Sequence, residues 1–176
     1  MKVLFYCLTP LALAQDDLQS QIIGTKEALE QLGVEVEFLR WYDGSQKGDI
    51  LHFFGRMPIE MFQQAREKRM KIVIADDLTE QTSLSAAELR LQQMAIRFLE
   101  KAAPSLSAGI YNWPVYRKAD ACIVSTTREA QLMNELFRVP KENVHVISCG
   151  ARESMTWTDT AKKLKALYED LLSSSR

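Results

Sequence analysis

Cysteine is sparse in this 176-residue chain, and the three present, Cys7, Cys122 and Cys149, form no CxxC pair and share no metal-ligand spacing. That excludes a disulfide framework and a zinc site as starting points, and a reducing cytoplasm suits the pattern best. Charge of one sign is missing too. A net charge of −1 supplies no long-range field for nucleic acid or an acidic membrane surface, although local basic patches are still open. Nucleic acid is therefore not an expected partner. No apolar run approaches the length of a membrane span. Met1 to Leu8 is apolar, but the run is short and β-rich and Asp16-Asp17 follows soon after, so it reads as a first strand and not as a signal peptide. Glycine is absent from the next loop, Thr9 to Gln15, where side chains would obstruct the close backbone approach that phosphate cradling needs. The two histidines, His52 and His145, lie far apart with no cysteine or carboxylate in ligand spacing, so no metal is expected.

What is present is enough for one compact domain: 47% hydrophobic residues, arranged in strand-like runs that alternate with helical patterns. That alternation predicts βαβ units and a mostly parallel sheet. Strands are predicted at 2–8, 34–39, 49–54, 71–75, 121–125 and 144–147, the second nearer an edge because it alternates with glutamates. The first helix carries Leu18, Ile22, Thr25, Leu29 and Leu32 on one stripe and stops at Gly33. Pro58 opens a short helix to about Lys68. Ser85 with Glu88, and Thr126 with Glu129, have capping-box spacing, and Leu84 and Leu89 are placed as a hydrophobic staple. A short helix over 114–118 precedes the fifth strand. After Gly150 a polar connection leads to a last helix, expected to be capped by Thr158, with Ala161, Leu164, Tyr168 and Leu171 on one face. The fold class is α/β: a Rossmann-like three-layer α/β/α domain over 1–150 with about six strands, and a connection and C-terminal helix over 151–176 packing back on it.

In open α/β sheets, ligands bind at the carboxyl ends of the strands, where helix starts and free amides converge. That rim holds Thr9, Pro10, Phe54, Gly55, Asp76, Asp77, Ser125, Thr126, Thr127 and Gly150. Asp76-Asp77 is the pair suited to acid/base chemistry, yet adjacent residues leaving a strand point opposite ways, so Asp76 stands alone as the catalytic candidate. Arg128, near a helix start, could meet an anionic acceptor. Trp41, Trp113, Tyr111 and Tyr116 could stack on a sugar or cover core edges. Cys149 has no His/Asn partners and reads as structural. His145 is given no catalytic role, and Lys162, Lys163 and Lys165 read as a solvated helix face.

The stretch Tyr111-Asn112-Trp113-Pro114-Val115-Tyr116-Arg117-Lys118-Ala119-Asp120, the strand Ala121 to Ser125 and the run Val139 to Ile147 resemble the retaining GT-B glycosyltransferases of the group 1, family 4 type. In that family, transfer occurs in a cleft between two Rossmann-like domains. The resemblance implies that this chain is the N-terminal, acceptor-side domain, and that Trp157 and the amphipathic helix after it are similar to the closing helix that returns across the first domain. The pattern Asp49-Ile50-Leu51-His52 matches the family's third-strand motif, which implies that His52 and the residues after it line the acceptor side. Where relatives carry a histidine, this chain has Asp76, and the glycine pair expected after the first strand is absent. With the donor-binding domain missing, the resemblance implies a transferase derivative turning over little or no substrate. Its partners would be that missing domain and a sugar or lipid acceptor, with no cofactor. The exposed interdomain face is a candidate for homodimerisation. Two other readings stay open: a stand-alone flavodoxin-like protein binding a nucleotide or flavin, and a non-catalytic folding scaffold.

Overall fold

A computed structural model describes residues 1–9, 16–41, 43–78, 82–102, 113–148 and 156–174. Six strands, β1 (Lys2–Cys7), β2 (Glu35–Phe38), β3 (Ile50–Phe54), β4 (Lys71–Ala75), β5 (Ala121–Val124) and β6 (Val144–Val146), form one sheet in the order β2-β1-β3-β4-β5-β6. Every neighbouring pair is parallel, with Phe5 opposite His52, His52 opposite Val73, and Val73 opposite Ala121. The expected edge position of β2 is observed. The near-continuous apolar character of β3, β4 and β5 follows from helices covering both faces of the sheet.

The strands' alternation sorts their side chains into two cores. Leu4, Leu51, Phe53, Ile72, Ile74, Cys122 and Val124 meet α2 (Ile59–Glu67), α3 (Ala86–Ala102), α4 (Trp113–Lys118) and α5 (Thr127–Phe137) on one face. Val3, Phe5, Ile50, Phe54, Val73, Ala121 and Ile123 meet α1 (Asp16–Gln31) and α6 (Trp157–Ser173) on the other. The second face is where the C-terminal helix matters. Among the described residues, the crossovers after β3, β4 and β5 all place their helices on the first face, so α1 shares the second with α6 alone. Ala161, Leu164, Leu167 and Tyr168 of α6 are buried there against Ile22 and Leu29 of α1.

Two local features let α6 sit close. At Gly24 a Cβ would lie 2.7 Å from the Trp157 indole, so the absence of a side chain on α1 admits the first residue of α6. Lys165 donates to the Leu32 carbonyl at 3.0 Å, placing a cation at the carboxyl end of α1. The cap of α6 differs from expectation. Thr156, not Thr158, is the N-cap, and it forms a reciprocal capping box with Asp159. Aspartate is short enough to serve at that third position, so a Thr-x-x-Asp spacing does what Thr-x-x-Glu does elsewhere. The Ser85–Glu88 box at the start of α3 forms as expected. At α5 the box is altered: Thr126 accepts from the Glu129 amide, while the Glu129 carboxylate accepts from Ser125 instead of Thr126.

Candidate functional site

The carboxyl ends of β3, β4 and β5 bring together Gly55, Asp76, Asp77, Ser125 and Thr126. Gly55 turns the chain out of β3 with φ +95°, a conformation that side chains disfavour, and its amide donates to Ala75 at 2.7 Å. That turn puts Arg56 beside the end of β4. Asp76 leaves β4 on the α2–α5 face, half-buried, with one carboxylate oxygen accepting from the Tyr116 hydroxyl of α4 and the other from the Asp77 amide at 3.1 Å. The Arg56 guanidinium sets a positive charge near both the Tyr116 hydroxyl and Asp76. Asp77 is exposed, and its negative charge adds to the upward push that burial exerts on the Asp76 carboxyl.

Burial pushes the Asp76 carboxyl above its ordinary range, while the Tyr116 hydrogen bond and the Arg56 charge oppose the shift without cancelling it. Burial and the Asp76 charge push the Tyr116 hydroxyl well above its usual value, so it stays protonated and can only donate to the carboxylate. Cys122, beneath the pair, is pushed up to about 12 by burial and then by Asp76, which leaves an inert thiol. A half-buried carboxylate oriented by a tyrosine and an arginine, with its affinity for protons raised, is chemically able to take a proton from a hydroxyl brought to the rim. Arg56 is exposed and offers guanidinium donors to a hydroxyl-bearing molecule at the same rim.

The other expected site residues divide clearly. Ser125 and Thr126 lie on the rim, but their groups are engaged in the fold: the Ser125 amide donates to Glu129 at 2.9 Å, the Ser125 carbonyl accepts from Ser148, and Thr126 caps α5. Glu129 is 2% exposed, so the protein's own carboxylate fills the start of α5, where an anion would otherwise bind. Arg128 is exposed on α5 and donates to Gln131 at 3.4 Å. Thr9 is exposed beyond β1, its carbonyl accepting from the Cys7 thiol. Pro10, Tyr111 and Gly150 lie outside the described residues, as do Cys149 and the side chain of Trp113.

His52 and Phe54 do not reach this rim, in contrast to the acceptor-side placement the family resemblance implies. Both point to the opposite face, beneath α6, because their positions on β3 alternate with those of Leu51 and Phe53. His52 is 2% exposed, stacks on Phe54 at 4.4 Å and lies 2.5 Å from the Tyr168 hydroxyl through Nδ1. Burial drives its pKa down to about 3, so the ring is neutral. Its Nε2 has no hydrogen-bond partner among the described residues, and the residue lines a mostly apolar cavity of about 10 Å³ together with Phe54, Ile123, Ile147, Leu164, Thr25 and Thr160. Tyr116, read from the sequence as a stacking or core-edge aromatic, is buried and serves Asp76, while Trp41 stacks on Tyr6 with ring centroids 5.8 Å apart. Arg56 was not anticipated; its signal was its place directly after the glycine that ends β3.

Among the described residues, no group of three or more histidines, cysteines or carboxylates is arranged to hold a metal, and no helix is long and apolar enough to cross a membrane. The chain matches no family model and no curated protein.

Proposed function

We propose that this Rossmann-like domain is the acceptor-side lobe of a GT-B glycosyltransferase, with Asp76 as the group that receives the acceptor hydroxyl's proton and Arg56 and Tyr116 as its positioning residues. The observation that carries the reading is α6. A C-terminal helix docks on α1, covering the sheet face that the crossovers after β3, β4 and β5 leave open, as the closing helix of that family does. The filled start of α5 and the glycine-free loop after β1 also suit a lobe that takes a neutral acceptor and leaves the nucleotide to another lobe. Transfer then depends on holding donor and acceptor in register across a cleft, so this lobe by itself turns over little substrate. A sugar-transfer assay with and without an added GT-B donor-binding lobe tests the reading. Activity that appears only on addition, and is lost in Asp76→Asn, supports it; turnover by this chain alone contradicts it.

A second reading has its own observation. The order β2-β1-β3-β4-β5 is that of flavodoxin-like sheets, whose ligand sits where the strand order reverses, between β1 and β3. Purified protein that is yellow, or that binds nucleotide tightly without any other lobe, favours that reading.

A further inference from the structure

Helix α3 is apolar on two sides. Leu89 and Ile96 face the core, and the Gln93 side chain donates to the Glu135 carbonyl of α5 at 2.9 Å, so the helix is pinned to the domain with a fixed rotation. Its outer side carries Leu91, Met94 and Phe98 at spacings of three and four residues, a single stripe two turns long. These three are 65%, 60% and 71% exposed, the largest exposures among the large hydrophobic side chains described. Such a cluster on a fixed helix is not explained by packing.

A row of cations runs along one edge of the stripe. Arg90, Arg97 and Lys101, at spacings of seven and four, are all exposed, and among the described residues none has an ion-pair or hydrogen-bond partner. On the other flank, Glu88 is engaged by Ser85 in the helix cap. An apolar stripe with a basic border is the pattern of a helix seated at the boundary between lipid headgroups and acyl chains. We propose that the outer face of α3 docks on an anionic lipid surface, with Leu91, Met94 and Phe98 entering the acyl boundary and Arg90, Arg97 and Lys101 meeting headgroup phosphates. The charge row selects lipid over a second copy of this chain, since an antiparallel pair of α3 helices about a twofold axis would align two basic edges. The surface is independent of the sugar-transfer reading.

Co-sedimentation with phosphatidylcholine vesicles, with and without phosphatidylglycerol, tests it. The intact chain is expected to bind the anionic vesicles, weakly or not at all the neutral ones, and to be released by salt. Each cation at an anionic surface contributes about fivefold, so Arg90→Gln, Arg97→Gln and Lys101→Gln together should weaken binding about a hundredfold. Leu91→Ser, Met94→Ser and Phe98→Ser together should abolish it. All six positions are exposed, so circular dichroism and the unfolding midpoint should be unchanged in both variants. Failure of the intact chain to bind anionic vesicles, or binding that neither variant reduces, overturns the proposal. So does a concentration-dependent dimer that the serine variant dissolves while no vesicle binding is seen.

Discussion

Replacing Tyr116 with phenylalanine removes a single hydroxyl from a buried ring, leaves its packing against Phe137 in place, and deprives Asp76 of its side-chain donor. A hydrogen bond to a charged group contributes about 1.5–3 kcal/mol. Asp76 is half-buried and keeps Arg56 beside it, so we expect the lower end, about 1.5 kcal/mol at neutral pH. The pH dependence carries a sign of its own. The folded-state affinity of Asp76 for its proton is raised, so between the unfolded value of 3.8 and the higher folded one the native chain holds a proton that the unfolded chain has lost. Stability from this group is therefore full below the unfolded value and declines as pH rises through the folded value. Tyr116→Phe raises the Asp76 affinity further, so the decline should be larger and extend to higher pH, whereas Asp76→Asn should remove it. Urea unfolding from about pH 4 to about pH 8, at constant ionic strength, measures both effects as midpoint shifts at an unchanged denaturant slope. A Tyr116→Phe protein with the parent's midpoint and the parent's pH profile would refute the coupling.

Gly24→Ala should lower the unfolding midpoint, because overpacking against the Trp157 indole costs about 1–3 kcal/mol and exceeds the roughly 1 kcal/mol that alanine normally gains over glycine in a helix; a more stable variant would contradict the close approach of α1 and α6. Thr156→Ala should cost about 1 kcal/mol through loss of the α6 cap, while Thr158→Ala, on the exposed first turn, should fall within about 0.5 kcal/mol of the parent. His52 should give no imidazole titration by NMR near 6.5, since its pKa is lowered to about 3. Because the unfolded chain takes up that proton first, the contribution of neutral His52 is full above about 6.5 and is lost as pH falls toward about 3; a His52→Gln variant should show a flatter acid limb.

The architecture was readable because parallel strands covered on both faces must be apolar throughout. Lys71–Ala75 is such a run, and its predicted and observed limits coincide. The start of α3 was readable from Ser85 and Glu88, whose reciprocal bonds are purely local. The start of α6 was misplaced by two residues because an aspartate, not a glutamate, completes its box. The site was legible only in part. Position at a strand end made Asp76 a candidate, but its bond to Tyr116 joins residues 40 apart and depends on where α4 crosses the sheet, which no local pattern specifies. The partner of His52 was not legible for a related reason: the side of β3 it occupies is buried by Tyr168, 116 residues later.

The proposed function requires that the domain take a neutral sugar-bearing acceptor at the carboxyl ends of β3 and β4 and leave the nucleotide to a separate lobe. Amide chemical-shift mapping of the chain, titrated in parallel with a free saccharide and with a nucleotide sugar, tests it most directly. Saturable shifts are expected at Gly55, Arg56, Asp76 and Asp77 with the saccharide, abolished by Asp76→Asn, with no additional shifts from the nucleotide moiety. Tight nucleotide binding centred on Leu8, Thr9 and Gly55, between the ends of β1 and β3, would contradict it.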